Sequence, residues 1–380
     1  MRCDDAGVVA VRRVLVLGAG LIGTSIALAL REHDVDVLLS DPDPAAVSLA
    51  CDLGAGEPVR GWFDSAAGDD GVAPADLAIV AAPPAAVPGT LRSAQDRGVA
   101  HVYTDVASVK TWVVEAARTA GCDMTTYVPG HPMGGRERGG AGAARADLFL
   151  GRSWALCESD KTDPTAVRVV TELVAHTGAH PVRLSAQEHD RAVALVSHAP
   201  HMAAAAVAAR LSCGDSRALG LAGQGVRDVT RIAAGDPQLW TEIVGYNAAS
   251  VAGELSALAA DLEDAAAALR ETGANPRRAD GLHPVRDLLL RGQAGQERLP
   301  AKHGFGRDRD YTVVPVVIPD EPGSLARLFQ AAGAADVNIE DVRLDHSPGL
   351  PVGLAQLWVV PEAGDQLRTI LAAQGWSVHA

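Results

Sequence analysis

The sequence is poor in aromatic residues, in lysine and in positive charge. Aromatic side chains make up 4% of the 380 residues, three lysines occur, and the formal net charge is −14. Such a charge disfavours nucleic acids and anionic membrane surfaces as partners, because both carry the same sign. Any anion-binding site must therefore depend on a few local arginines. The length is sufficient for two or three domains, each with its own core.

Cysteine and long apolar runs are scarce as well. The five cysteines form no CxxC or CxxH pair and are odd in number, which argues against a disulfide framework or a metal site. The first residues, MRCDDAGVVAVRR, carry acids where a secretory signal would carry bases. No uninterrupted apolar run approaches the roughly 18 residues of a membrane span. These features predict a soluble cytoplasmic protein that binds no metal ion.

The first 50 residues contain a complete dinucleotide-binding pattern. An apolar strand at residues 14–17 leads into GAGLIG and an apolar helix, and a second strand at 35–39 ends at Asp41. The three glycines would allow a tight turn, close approach of the pyrophosphate, and close packing of helix on strand. An acid at this position can bind the ribose 2′-hydroxyl and repel a 2′-phosphate, which predicts NAD rather than NADP. The predicted cofactor-binding residues are Gly18, Gly20, Leu21, Ile22, Gly23 and Asp41.

Two later strand ends carry candidate catalytic residues. HVYTDVASVK places Ser108 in a turn after a strand, and TTYVPGHPMGG leads to His131. Ligands of parallel sheets gather at the carboxyl ends of strands, so both residues are predicted to face the nicotinamide. Two plainer alternatives exist. Ser108 could be the N-cap of the next helix, and His131 could be a solvated side chain in an irregular, glycine-rich and proline-rich surface loop.

The middle third, from about residue 186 to residue 272, has a helical pattern. Pro200 should kink a long helix beside His198 and His201, and this HxxH pair lacks the third ligand of a metal site. Arg227 and Arg231 share a polar helix face, as they also would on an ordinary surface helix.

Gly235, Asp236 and Pro237 predict the end of that helix and the start of another. From residue 237 to residue 272 apolar residues recur every seven positions, which predicts one helix of about 35 residues that needs a partner helix. We therefore expect a homodimer built on helical domains.

The last 70 residues return to alternating strands. After a short helix, VRDLLLRG, and a polar stretch, the order of elements is βαββαβ, typical of a small ferredoxin-like domain. The predicted organisation is an α/β Rossmann-type NAD-binding domain, an all-α dimerisation and substrate domain, a linker, and an α+β ferredoxin-like domain. Their predicted bounds are 1–180, 181–300, 301–310 and 311–380.

Several motifs occur together in one order: GAGLIGTS, DVASVK, GHPMGG followed by Glu137, SHAPH and RDVTRIAAGDPQLW, and then VVIPDEPGSLARLF with VNIEDV. With these motifs the chain resembles the prephenate/arogenate dehydrogenase family of tyrosine biosynthesis with a C-terminal ACT domain, from about residue 12 to the end. The resemblance implies NAD-dependent oxidative decarboxylation of prephenate. It also implies a helical dimerisation domain.

The resemblance implies that His131 and Ser108 are catalytic and that His198 and Arg231 contact the substrate. A neutral imidazole can accept the proton of the 4-hydroxyl group, and an arginine can bind a carboxylate through two hydrogen bonds. Where some members have threonine before the glutamate, this chain has an arginine. The predicted substrate-binding residues are Arg231, His198, Glu137, Arg136, Arg227 and Trp240.

Three alternatives remain at this level. Arogenate, whose side chain is an amino acid, could be the substrate in place of prephenate. A β-hydroxyacid dehydrogenase would use a helical lysine, but no lysine lies between Lys161 and Lys302. An NAD-dependent sensor without activity would not need His131, Ser108 and Arg231 together.

The turn PDEPGS at the start of a helix indicates a regulatory site in the C-terminal domain. Its backbone N–H groups could hold a carboxylate and its acids an ammonium group, so L-tyrosine is the predicted effector. The plainer alternative is a domain that only pairs subunits. The predicted regulatory residues are Asp320, Glu321, Gly323 and Asn338.

Overall fold

The structure is a computed structural model that describes residues 11–59, 73–135, 139–274, 279–299, 311–346 and 351–379. Arg136, Glu137 and the predicted linker 301–310 lie outside the described residues. The chain divides into two compact units, Met1–Val285 and Arg286–Ala380. Each unit is described by itself below.

The first unit begins with a six-stranded sheet in which all paired strands are parallel. Its order is β3-β2-β1-β4-β5-β6, and a helix lies between the strands of each successive pair except β3 and β4, as in Rossmann-like folds. The central strands are buried on both faces, which explains their continuous apolar sequences. The elements are β1 Arg13–Leu17, α1 Leu21–Arg31, β2 Asp36–Ser40, α2 Pro44–Asp52, β3 Glu57–Pro58, β4 Ala75–Val80, α3 Val87–Asp96, β5 Ala100–Asp105, α4 Thr111–Thr119 and β6 Tyr127–Val128.

A second sheet of three strands follows, and it replaces the irregular loop that was expected around His131. The strands are β7 Gly130–Pro132, β8 Ser153–Leu156 and β9 His180–Arg183, with α5 Pro164–His176 between the last two. His131 lies on β7 and pairs with Ala155, so it is not part of an irregular loop. A proline is compatible with this strand because β7 is at the edge of the sheet and Pro132 is its last residue.

The helical part begins with a long helical run that continues through Pro200. Helix α6 (Ala186–Val193) continues through one π-helical turn (Ala194–His198, the π-turn) into α7 (Ala199–Leu211). In the π-turn the Ala199 N–H donates to the Ala194 carbonyl, five residues back. The wider turn makes room for the proline ring, which an ordinary α-helical turn would press against a carbonyl group.

Residues 186–211 are long and apolar enough to cross a membrane by length and composition alone. The mean hydropathy of the best window is 1.4, and 33% of that window is buried. This run contains polar residues and is therefore not an uninterrupted apolar stretch, but its many alanines raise the mean hydropathy of the window. Core helices of soluble proteins satisfy the same criterion. His189, Asp190 and His198 of this run are buried and hydrogen-bonded within the protein.

The remaining helices differ from the predicted single helix of 35 residues. Two helices replace it, and Asn247 separates them with φ −116° and ψ 28°. Asp236 caps the first of them through a bond to the Gln238 N–H, and Pro237 is its first residue, as predicted. The helix that follows, which belongs to the second unit from Arg286 on, is longer than the predicted VRDLLLRG and includes part of the predicted polar stretch. The elements are α8 Ser216–Leu219, α9 Gln224–Thr230, the 3-10 turn Arg231–Ala234 (the arginine turn), α10 Pro237–Tyr246, α11 Ala248–Ala274 and α12 His283–Glu297.

The second unit contains a four-stranded sheet with the predicted βαββαβ order of elements. The paired strands are antiparallel in the order β11-β12-β10-β13, and alternate residues of β10 and β12 are buried against the two helices. The second strand starts at Asp341, four residues later than VNIEDV suggested. The elements are β10 Thr312–Pro319, α13 Ser324–Ala334, β11 Asp341–His346, β12 Val352–Val359, α14 Pro361–Ala373 and β13 Ser377–Val378.

Candidate active site

The glycine-rich turn between β1 and α1 has the geometry of a dinucleotide cradle. A Cβ atom on Gly18, whose φ is +121°, would lie 2.1 Å from the Ala81 carbonyl oxygen, and one on Gly23 would lie 2.0 Å from the Gly18 carbonyl oxygen. Both positions therefore require glycine. A Cβ on Gly20 would enter open space, where a pyrophosphate could approach the backbone.

Asp41 closes this turn from the end of β2. Its Oδ2 accepts a hydrogen bond of 2.7 Å from the Ala19 N–H, and its Oδ1 accepts one of 2.8 Å from the Asp43 N–H. Leu21 and Ile22 begin α1, whose N-terminus has no side-chain cap, so its amide groups are suited to an anion. These residues fit a dinucleotide, and their assignment to the cofactor stays a prediction.

His131 is held by two residues that the sequence did not single out. Its Nδ1 lies 2.8 Å from Nε2 of His189, and Nδ1 of His189 lies 2.9 Å from Oδ1 of Asp190. His189 and Asp190 lie in the first turns of α6. The start of this helix is fixed by a capping box that Ser185 and Glu188 form. The three side chains thus form a continuous hydrogen-bonded chain.

Asp190 in turn closes the N-terminus of α4. Its two carboxylate oxygens accept hydrogen bonds of 2.8 Å from the backbone N–H groups of Lys110 and Thr111. Burial alone would raise the pKa of Asp190, but the bonds from His189, Thr111 and Lys110 outweigh burial and lower it. The N-cap residue of α4 is Lys110, so the alternative of Ser108 as the cap is wrong.

A buried ion pair lies directly behind β7. The Lys110 ammonium contacts Oδ1 of Asp105 at 2.5 Å and donates to the Gly130 carbonyl at 2.7 Å. Tyr127 donates its hydroxyl to the other oxygen of Asp105. Lysine and aspartate are both 0% exposed, so this pair fixes the residue before His131 from inside the protein. Desolvation, followed by His189, Lys110 and His198, holds the pKa of His131 well below its usual value.

His198 joins the same cluster through Asn247. The Asn247 amide donates to the Asp190 carbonyl at 2.6 Å and lies 3.3 Å from Nδ1 of His198. Burial, only partly offset by Asp190, lowers the pKa of His198 to about 4. The imidazole is therefore neutral at physiological pH.

Trp240 connects this cluster to the arginine turn. It stacks on His201 with ring centroids 3.5 Å apart and meets His198 edge-on at 6.1 Å. A Cβ on Gly235 would lie 2.5 Å from Trp240, so the end of the arginine turn packs directly against the ring. Arg231 and the nearby Arg227 have exposed side chains.

The structure thus brings together some of the predicted site residues. Ser108 is half-buried in the segment between β5 and α4, which Lys110 ties to Gly130, the neighbour of His131. His198 and Trp240 share one cluster, and Arg231 is on the turn that packs against it. His189, Asp190, Asn247 and Lys110 were not predicted as site residues. Among the described residues, no group of three or more His, Cys, Asp or Glu side chains could hold a metal ion.

The predicted regulatory residues lie on the second unit. Gly323 is the N-cap of α13 with φ +86°, a conformation that favours glycine. The Ser324 N–H donates to the Glu321 carbonyl, and the Asp320 N–H to the Pro351 carbonyl. Asn338 precedes β11 and donates its side-chain amide to Glu340.

Known proteins with similar sequences identify the family. Residues 26–183 match the family model described as prephenate dehydrogenase, nucleotide-binding domain, and residues 185–283 match prephenate dehydrogenase, dimerization domain. A probable prephenate dehydrogenase of Streptomyces niveus, NovF, is 37% identical over 375 residues, 97% of this chain and 100% of that protein. The chain belongs to the prephenate dehydrogenase family.

Other members of the prephenate dehydrogenase family agree in sequence and in fold. The prephenate dehydrogenase of Bacillus subtilis is 28% identical over 343 residues, 87% of either chain. The crystal structure of the Aquifex aeolicus prephenate dehydrogenase, in complex with hydroxyphenyl propionate and NAD⁺, superposes with a TM-score of 0.64. That comparison covers 75% of this chain and 99% of the other at 23% identity, and it shows that the fold is shared.

Proposed function

We propose that this protein catalyses the NAD-dependent oxidative decarboxylation of prephenate to 4-hydroxyphenylpyruvate in tyrosine biosynthesis. The observation that carries the proposal is the 2.8 Å hydrogen bond between His131 and His189, which holds a neutral imidazole where the sheet presents its carboxyl ends. Membership of the prephenate dehydrogenase family supports the reaction type.

The cofactor would be held by the glycine-rich turn and by Asp41. Gly18 and Gly23 shape the turn, Gly20 leaves space for the pyrophosphate, and the amide groups at Leu21 and Ile22 face its charge. The carboxylate of Asp41 would bind the ribose hydroxyls and disfavour a 2′-phosphate. When bound, NAD⁺ supplies the hydride acceptor.

His131 would move the proton of the reaction. It accepts the proton of the 4-hydroxyl group as the hydride leaves the carbon that bears this group. The ring carboxylate then departs as CO₂, its electron pair makes the ring aromatic, and His131 returns the proton to the phenol oxygen. The lowered pKa of His131 keeps the imidazole neutral, which is the form that can accept a proton. Ser108 would orient the substrate hydroxyl.

Residues of the helical part would bind the two carboxylates of the substrate. Arg231 can form two parallel hydrogen bonds with one carboxylate, and its turn packs against Trp240 beside His198. We assign His198 and Trp240 to the ring of the substrate, Arg227 to a supporting positive charge, and Arg136 and Glu137 to recognition of the side chain.

Steady-state kinetics with purified prephenate and arogenate tests the proposal. We expect reduced cofactor and CO₂ in equal amounts from prephenate, with a kcat/KM at least ten times that for arogenate. A preference for arogenate would make the enzyme an arogenate dehydrogenase that forms tyrosine directly. No turnover of either compound by folded protein would refute the proposal.

We also propose that the enzyme is a cytoplasmic homodimer. Leu262 and Leu269, two of the residues that recur every seven positions on α11, are 56% and 55% exposed in the single chain. Such side chains are suited to a partner helix. The matching family model, described as a dimerization domain, supports the same arrangement. Light scattering coupled to size-exclusion chromatography measures the oligomeric state.

The second unit would be an ACT domain that binds L-tyrosine and lowers activity. Its βαββαβ order and the positive φ of Gly323 at the start of α13 support this proposal. Amide groups at this helix start would hold the carboxylate of the amino acid, and Asp320, Glu321 and Asn338 would contact its ammonium group.

A further inference from the structure

We propose that Asp190 and His189 are positioning residues that fix His131 in a single tautomer, with its proton on Nδ1 and its lone pair on Nε2. The inference deepens the proposed function, because it rests on His131 as the proton acceptor. It follows from the order of donors and acceptors along one hydrogen-bonded chain, which starts at the N-terminus of α4.

The first step is the charge of Asp190. Each of its carboxylate oxygens accepts a backbone N–H bond, from Lys110 to Oδ1 and from Thr111 to Oδ2, both at 2.8 Å. These donors belong to the start of a helix, where the helix dipole favours a negative charge. Both oxygens therefore act as acceptors, and Asp190 is an anion.

The second step fixes the proton of His189. Its Nδ1 lies 2.9 Å from Oδ1 of Asp190, and a carboxylate can only accept, so this nitrogen must donate. In a neutral imidazole the other nitrogen then carries the lone pair. Nε2 of His189 is that nitrogen, and it faces His131. The ring is 1% exposed, so solvent offers little competition for either position.

The third step determines which ring nitrogen of His131 carries the proton. Its Nδ1 lies 2.8 Å from Nε2 of His189, which carries the lone pair, and must therefore donate. Nε2 of His131 consequently holds the lone pair that accepts the substrate proton. Once His131 is protonated, the negative charge of Asp190 compensates the new positive charge through His189. The opposite tautomer would offer the substrate an N–H group and could not act as a base.

The decisive variant is Asp190→Leu, which keeps a side chain of similar size but removes the acceptor for Nδ1 of His189. Asparagine is not suitable, because the Lys110 N–H and His189 share Oδ1, so a carbonyl in that position would keep the wild-type order. Without the carboxylate neither imidazole is held in one tautomer, and Nε2 of His131 is protonated in part of the molecules. We expect kcat to fall by about 10²-fold to 10⁴-fold, up to the full worth of a general base. The KM for prephenate and the affinity for NAD⁺ should change little.

Two variants of His189 provide the matched control. The side chain of His189→Gln can accept from His131 through its carbonyl and donate to Asp190 through its NH₂ group, which is the wild-type order. His189→Leu can do neither. We expect the glutamine variant to retain at least ten times the kcat of the leucine variant. Equal losses in the two variants would contradict the proposal.

A spectroscopic readout separates positioning from mere stabilisation. Nuclear magnetic resonance of enzyme labelled with ¹⁵N-histidine shows which ring nitrogen of His131 is protonated. We expect the proton on Nδ1 in the wild type and an exchange of the proton between Nδ1 and Nε2 in Asp190→Leu, and a wild-type proton on Nε2 would overturn the proposal. The measurement needs no substrate, so it stands even if prephenate is not turned over. In a His131→Asn background, Asp190→Leu should cause no further loss of kcat.

Discussion

Two histidines in the candidate site are kept neutral by their surroundings. For His131 the main cause is desolvation, and the neighbouring His189, Lys110 and His198 act in the same direction. An imidazole whose pKa is lowered remains neutral as the pH falls, until the pH reaches that lowered value. His131 is therefore neutral, and able to accept a proton, at physiological pH.

The lowered pKa of His131 should be visible in the pH dependence of the reaction rate. We expect the acid limb of kcat/KM, where His131 becomes protonated and loses its function, to lie below the ordinary histidine value of 6.5. His131→Asn should lower kcat by roughly 10²-fold to 10⁴-fold and remove this limb, while binding of NAD⁺ measured by calorimetry stays intact. An acid limb at the same pH in both proteins would mean that another group is the base.

Substitution of the buried Lys110 tests how much its ion pair with Asp105 contributes to stability. Lys110→Met would leave Asp105 buried without its cation, and loss of one partner of such a pair costs about 3–5 kcal/mol. Lys161 is exposed and provides the control, since Lys161→Met should change the free energy of unfolding by no more than about 0.5 kcal/mol. Urea unfolding measures both. Similar values for the two variants would show that the buried pair contributes little.

At the scale of elements, the local patterns were the predictable part. The glycine-rich turn, the strands on both sides of it and the start of α10 at Asp236 follow from residues within a few positions of each other. The contacts that orient His131 do not. His131 and His189 are 58 residues apart, and Thr111 and Asp190 are 79 apart, so no local pattern reports them. Asn247 divides a heptad pattern because its amide bonds to Asp190 and His198, again far away in sequence.

The turn between β2 and α2 should set the cofactor preference. Asp41→Ala removes the charge that repels a 2′-phosphate, and we expect the ratio of kcat/KM for NAD⁺ over NADP⁺ to fall by at least tenfold. Asp163→Ala removes a helix-capping carboxylate on α5 and should leave the ratio unchanged, although it costs about 1 kcal/mol of stability. A wild-type enzyme that prefers NADP⁺ would show that the role assigned to Asp41 is wrong.

The arginine turn should act on substrate binding. Arg231→Ala would remove a charge-assisted contact that exists before and during the reaction, worth about 1.5–3 kcal/mol, so the KM for prephenate should rise roughly tenfold to a hundredfold. Arg210→Ala, at the exposed end of α7, is the control and should leave KM unchanged. Loss of NAD⁺ binding with an unchanged KM would assign Arg231 to the other ligand.

At the scale of the whole molecule, the order of an α/β, a helical and a mixed α+β part was predicted from the sequence. The apolar residues form continuous runs in the first part of the chain, follow helical spacing in the middle part and alternate in the last part. These patterns are typical of buried parallel strands, packed helices and strands with one buried face, respectively. The exact end of each helix was less predictable. Helix α12 continues to Glu297 although its last residues are polar, because exposed helix positions need no apolar residue.

Regulation by the second unit is a prediction at this scale. We expect L-tyrosine to lower kcat/KM of the full chain and to have little effect on a chain that ends at Arg309, because the proposed binding site is then absent. Thermal denaturation of both proteins would check that the shorter chain is folded. Inhibition of equal strength in both, competitive with prephenate, would place tyrosine in the active site and refute regulation by this unit.

The scarcity of lysine gives the buried ion pair a practical use. Of the two lysines that the structure describes, Lys161 is open to solvent and Lys110 is 0% exposed. An amine-acylating reagent added to the folded protein can reach the first at once, but it reaches the second only when the buried ion pair is exposed by local or global unfolding. The rate of acylation at Lys110, measured by mass spectrometry, therefore reports how often the structure around the candidate active site opens, without any engineered label.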